Sequence, residues 1–142
     1  MLDESKTALM RYRLEQAQNC LNVALMLEAA GAYKDAANRS YYCIFHAMRA
    51  VHAIDRFDSK KHSGVIAAFR QRYIKTTVFP SEFSDMIQYA FRNRGKSDYE
   101  DFFVIAKEDV NKQIENAKVF LAAVEEYVQT LSQAEDEPSP SC

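Results

Sequence analysis

Four side chains able to do chemistry sit on one apolar stretch, "NRSYYCIFHAMRAVHA", residues Asn38 to Ala53: Arg39, His46, Arg49 and His52. Histidine moves a proton near neutral pH, and arginine grips a phosphate through paired hydrogen bonds while stabilising developing negative charge. Together they suit phosphodiester chemistry. On a helical wheel Val51, Ile44, Met48, Tyr41 and Phe45 cover one broad side, while Arg39 and His46, two turns apart, nearly coincide on the other. Tyr42, Arg49, Ala53 and the small Cys43 and Ala50 flank them. Such a helix belongs among neighbours, with a narrow polar seam whose charges must be paired or hydrogen-bonded. A purely structural seam is the competing reading. In it Arg39 pairs with an acid on the first or last helix, and a backbone carbonyl or a tyrosine satisfies His46.

The net charge of −2 hides a segregation. From Arg56 to Lys96 nine basic residues face three acidic ones, leaving +6, and the rest of the chain carries −8. A basic middle can hold an anionic partner such as RNA or a nucleotide, although patchy surfaces also arise without function. Arg92, Arg94 and Lys96 crowd one apparent break and Lys60 and Lys61 another, whereas Arg70, Arg72 and Lys75 fall on helix surface and are expected to be solvated.

Other chemistries lack support. "HSG" sets a serine beside a histidine, but helix neighbours do not face each other and no oxyanion device accompanies them. A Gly-rich phosphate loop is missing. His46, His52 and His62 lack metal-ligand spacing, so neither a metal nor another cofactor is expected. The basic residues spread over two helices and two loops, unlike a helix-turn-helix reader. Cys20, Cys43 and Cys142 form an odd set without metal spacing and are expected to be reduced, buried or tail thiols.

These side chains need a scaffold. A chain of 142 residues makes one domain and needs no staple. Long apolar-periodic runs with only 3 Gly and 3 Pro predict an all-helical domain. A first helix carries Leu9, Leu14, Ala17, Leu21, Leu25 and Met26, with Gly31 as its C-terminal cap. A second runs from about Asp35 to Asp55, with Asp35 capping it or complementing its positive end. A third spans Gly64 to Tyr73, capped by Ser59 or Ser63, and a fourth runs from about Ser81 to Asn93. "RGKSDYEDF" reads as a loop before a fifth helix, Ile105 to Leu131. The polar "SQAEDEPSPSC" is expected to be a disordered acidic tail. No apolar run is long enough to span a bilayer, so no membrane partner is expected. "MLDESKTALM" has acids where a signal peptide needs cations, which predicts a cytoplasmic protein.

Taken in order, "AANRSYYCIFHAMRA", "SKKHSGVIAAF" and the "DY" before the last long helix resemble the HEPN domain family over about Asp35 to Val128. The resemblance implies a dimerising bundle of four or five helices. Many members are the toxin or partner half of a two-gene module with a minimal nucleotidyltransferase. Some are metal-independent ribonucleases whose site is an Arg and a His with four to six residues between them, near the start of a late helix. Arg39 and His46 have that separation but lie in the stretch matching the family's structural signature. The late position corresponds to "RNRGKSDYEDF", where Arg92 or Arg94 stands for the Arg and Asp98, followed by Tyr99, occupies the place of the His. An ionised Asp cannot donate a proton to a leaving oxygen and repels phosphate. For RNA cleavage, His46 or His62 must take over, or Asp98 must act as a base.

The expectation is therefore an all-α, up-and-down antiparallel bundle of four to five helices over residues 1–131, with a tail over 132–142. It is expected to be a homodimer and the nucleotide- or RNA-binding half of a toxin–antitoxin-like module with a nucleotidyltransferase partner. Catalytic candidates are Arg92, Arg94, Asp98 and His46, should it be a metal-independent ribonuclease. Binding candidates are Arg39, Lys60, Lys61, His62, Arg92, Arg94, Lys96 and Tyr99. The alternative is a non-catalytic dimeric module for protein interaction or nucleotide binding.

Overall fold

The structure, a computed structural model, describes residues 4–136. Five α-helices follow one another: α1 (Glu4–Ala29), α2 (Tyr33–Asp55), α3 (His62–Phe69), α4 (Glu82–Tyr99) and α5 (Lys107–Asp136). A π-helical turn, Arg70–Ile74, continues α3. Every regular element among the described residues is helical, as the periodicity predicts.

Helix α2 is the axis of the bundle and packs against each of the other four. Its apolar girth explains this. Tyr41, Ile44, Met48 and Val51 are fully buried along with the small Ala36, Cys43, Ala47 and Ala50. Small buried residues on α1, Ala17 and Ala24, let the two helices approach closely. One chain thus covers α2 by itself, so the apolar girth of α2 does not supply the interface expected of a homodimer. Large apolar side chains are left exposed elsewhere, most fully Tyr99, Phe102 and Val104 at the turn between α4 and α5.

The α1–α2 turn depends on Gly31, whose φ of +78° is the left-handed conformation that closes a helix. Its N–H donates to the Glu28 carbonyl (3.0 Å), and the Ala32 N–H to that of Leu27 (2.8 Å). Asp35 lies in the first turn of α2, where it complements the positive end, while Ala32 holds the cap position without a side-chain bond. Lys61 precedes α3 as its cap residue. Ser59 brackets it, its Oγ accepting from Lys61 N–H (3.2 Å) and donating to Lys61 O (3.3 Å). Aromatic rings fill the far end of the core: Phe120 of α5 stacks on Phe83 of α4 (4.9 Å between centroids) and lies 5.5 Å from Phe69 of α3.

The main departure from expectation is α4. The composition of "RGKSDYEDF" predicts a loop, yet residues 94–99 continue the helix. Asn93 and Ser97, one turn apart, are both buried, so this stretch has an inward face despite its polarity. Asn93 Nδ2 donates to Gln113 Oε1 (2.8 Å), and Gln113 Nε2 donates to Ala37 O and Ser40 Oγ (2.7 Å each), tying α4, α5 and α2. The third helix begins at His62, two residues earlier than expected. Helix α5 runs past Leu131 to Asp136. The rest of the expected tail, residues 137–142 with Cys142, lies outside the described residues. Cys20 and Cys43 are free, buried thiols. None of the described helices is long and apolar enough to cross a membrane.

Candidate functional site

Where α2, the start of α3 and α4 meet, arginines and histidines gather on aromatic rings. His62, the first residue of α3, stacks on Phe45 of α2 (4.1 Å between centroids, 14° between planes) and meets Tyr42 edge-on. Its Nδ1 lies 2.7 Å from the hydroxyl of the fully buried Tyr41. Burial, partly opposed by Arg94, raises the Tyr41 hydroxyl pKa, so it stays protonated and donates to Nδ1. This assignment puts the imidazole hydrogen on Nε2.

Arg94 of α4 lies over the same rings, 5.5 Å from Tyr41 and 5.7 Å from Tyr42, and its Nε is 3.5 Å from Asp98 Oδ2. Arg39 lies over the ring of Tyr42 (4.9 Å) and donates from Nε and Nη2 to Asn38 Oδ1 (3.1 and 2.8 Å). Arg39 thus bonds the neighbouring amide, where the purely structural reading places an acid on the first or last helix. Arg49 sits 5.9 Å from the Phe45 ring, with Nη2 3.6 Å from Asp58 Oδ1.

His46 lies beside the rings of Tyr42 (6.0 Å between centroids) and Phe45 (5.9 Å). Burial, then Arg49, Arg39, Arg13 and His62, depress its pKa to about 4. Burial, Arg94 and Arg49 lower that of His62. The arginines thus hold the charge while the imidazole of His46 stays neutral at pH 7, able to accept a proton or to offer a hydrogen bond.

His52 belongs elsewhere. It is fully buried, its Nε2 donates to Val65 O (3.0 Å), and Phe57, Phe69 and Tyr73 surround it. The purely structural reading has a backbone carbonyl or a tyrosine satisfy His46; the histidine bonded to a carbonyl is His52. At the end of α2, Asp55 Oδ2 accepts from the Tyr73 hydroxyl (2.6 Å) and lies 3.3 Å from Arg72 Nη1, joining α2 to the π-helical turn.

Arg39, His46, His62 and Arg94 are therefore brought together, with Asp98 beside Arg94. Lys60 and Lys61 are exposed in the turn just before His62. Arg92 and Lys96 are not part of the cluster. They line a groove of about 250 Å³ with Tyr89, Phe103 and Asp109. Two helical residues differ by about 200°, which sends Arg92 and Arg94 to opposite sides of α4. Tyr99 ends α4 almost fully exposed. Sequence reasoning missed Tyr42 and Phe45 as platforms, set Arg49 beside the seam without counting it a binding residue, and missed Arg13 altogether. The spacing of Arg49, one turn beyond His46, was the available signal. For Arg13 on α1 there was none, because only packing brings it to Arg49. No group of three or more His, Cys, Asp or Glu suited to a metal occurs among the described residues.

A family model described as HEPN domain matches residues 10–127. A UPF0332 protein of Thermotoga maritima is 30% identical over 129 residues, covering 91% of this chain and 98% of the relative. A Methanocaldococcus jannaschii protein bearing the name "Putative toxin" is 29% identical over 115 residues, 81% of this chain and 78% of its own length. Among solved structures, TT1696 from Thermus thermophilus superposes with a TM-score of 0.69 at 19% identity over 82% of this chain and 96% of its own. An archaeal HEPN homologue, ST0689, gives 0.67 at 17% over 84% and 97%. At such identities the structural likeness speaks for the fold.

Proposed function

Because the chain belongs to the HEPN domain family, we propose that it is the RNA- or nucleotide-binding half of a toxin–antitoxin-like module. It engages phosphates through the face that carries Arg39, His46, His62 and Arg94. The observation that carries this reading is the disposition of charge. The guanidiniums of Arg39 and Arg94 lie over Tyr41 and Tyr42 beside a neutral His46, and the acidic partner of Arg94, Asp98, is an exposed carboxylate 3.5 Å away. A phosphodiester offers the same guanidiniums closer, bidentate bonds, and Tyr42 is the half-buried ring next to them on which a base can stack. The toxin name borne by a relative supports the module, whose other half on this proposal is a nucleotidyltransferase. The test is binding of a labelled oligoribonucleotide, which Arg39→Ala with Arg94→Ala should weaken at least about tenfold.

One observation favours metal-independent cleavage as a second reading. Asp98 stands where a histidine acts in the family's ribonucleases, but His62 Nδ1 bonds the Tyr41 hydroxyl while Arg94 lies over the Tyr41 ring, so a histidine from another helix stands near that arginine. Chelator-treated protein should then cut RNA, and His62→Gln should not.

A further inference from the structure

Beside that face, a cavity of about 430 Å³ opens between α1 and the end of α2, lined by the cations Lys6, Arg13 and Arg56, the apolar Leu9 and Phe57, and Asp58. Its volume falls in the range of small-molecule sites. Its deepest charge is Arg13, only 7% exposed. Arg13 Nη1 donates to the carbonyl of Arg49 (2.8 Å), and among the described residues the acid nearest its Nη2 is Asp58, whose Oδ2 at 4.0 Å is too far for a hydrogen bond. Arg49 shares the same carboxylate at 3.6 Å, and its buried Nε has no hydrogen-bond partner. Among the described residues two guanidiniums thus share one carboxylate, 67% exposed and already accepting from the Ser59 N–H (2.8 Å). Burial, then Arg49, pull the Arg13 pKa down, and Asp58 opposes them only in part. A phosphate carries more charge and more acceptor oxygens than Asp58 and can meet both guanidiniums at bonding distance.

We propose that this cavity is a second ligand site, for a small phosphomonoester such as a nucleoside monophosphate. Its phosphate displaces Asp58 from between Arg13 and Arg49, and its body lies against Leu9 and Phe57. The site stands independently of RNA binding at the Arg39–Arg94 face. Asp58 acts in it as a resident carboxylate that keeps the empty site paired.

Calorimetric titration of the full chain with adenosine 5′-monophosphate, inorganic phosphate and adenosine tests this. The monophosphate should bind more tightly than either fragment. Asp58→Ala should strengthen its binding several-fold by removing the competitor, and Arg49→Gln should weaken it about tenfold. Arg94→Ala, which lies on the other face, should leave it unchanged, so the two sites stand or fall separately. Asp58→Ala is a gain of binding at an exposed position and keeps the test decisive even where an Arg13 variant fails to fold. The proposal is overturned by unchanged or weaker binding in Asp58→Ala, by loss of binding in Arg94→Ala, or by no binding of the monophosphate to either wild type or Asp58→Ala.

Discussion

The Tyr41 hydroxyl and His62 Nδ1 lie 2.7 Å apart, and their rings are within 8° of parallel, so the buried middle of α2 fixes the first residue of α3. The imidazole orientation is thereby set from the core, and Nε2–H is the donor left for a ligand. Tyr41→Phe should keep the fold and cost about 1 kcal/mol, the net worth of a typical hydrogen bond. Urea denaturation gives this directly, as a lower midpoint at unchanged slope. An equal midpoint would mean that the bond does not hold His62.

The polar knot in the core should be costlier to cut. Gln113 is fully buried and serves Asn93, Ser40 and the Ala37 carbonyl at once. Gln113→Ala leaves buried polar groups without a partner and should destabilise the chain by about 2–3 kcal/mol. Equilibrium denaturation checks it.

Stability should also fall in acid. Folded His46 takes a proton only near pH 4, whereas in the unfolded chain histidine takes one near about 6.5. Between those values the unfolded state binds more protons, so stability is full above the upper value and is lost as pH falls towards the lower. His52 and His62 are depressed as well and add loss of the same sign. Melting temperatures across this window should decline, and less steeply in His46→Gln.

The helices and the central place of α2 were legible because apolar spacing alone dictates them. The site was legible only in part. Arg39 and His46 declared themselves by standing on an apolar helix, but "RGKSDYEDF" concealed its structure behind polar residues and a glycine. Helix wins there because Asn93 and Ser97 have buried places to fill, a tertiary fact that no local propensity carries. Arg92 and Arg94, close together in a loop, would converge; on a helix they part. Gly95 gives a direct check. It has no positive φ, and a Cβ there would meet nothing within 4 Å. Gly95→Ala should therefore stabilise the chain by about 0.5–1 kcal/mol, seen as a raised melting temperature.

Arg39 and Arg94 carry the central claim, and Arg92 with Lys96, on the other side of α4, provides the control of equal charge. The decisive measurement is titration of a labelled oligoribonucleotide at several salt concentrations with wild type, Arg39→Ala/Arg94→Ala and Arg92→Ala/Lys96→Ala. Each phosphate neutralised in a single strand contributes about 0.7 to the slope of log affinity against log salt. The first variant should lose at least about tenfold in affinity and about 1.4 in slope, while the second stays near wild type. Equal losses in the two variants, or no binding by wild type at any salt concentration, would contradict the account.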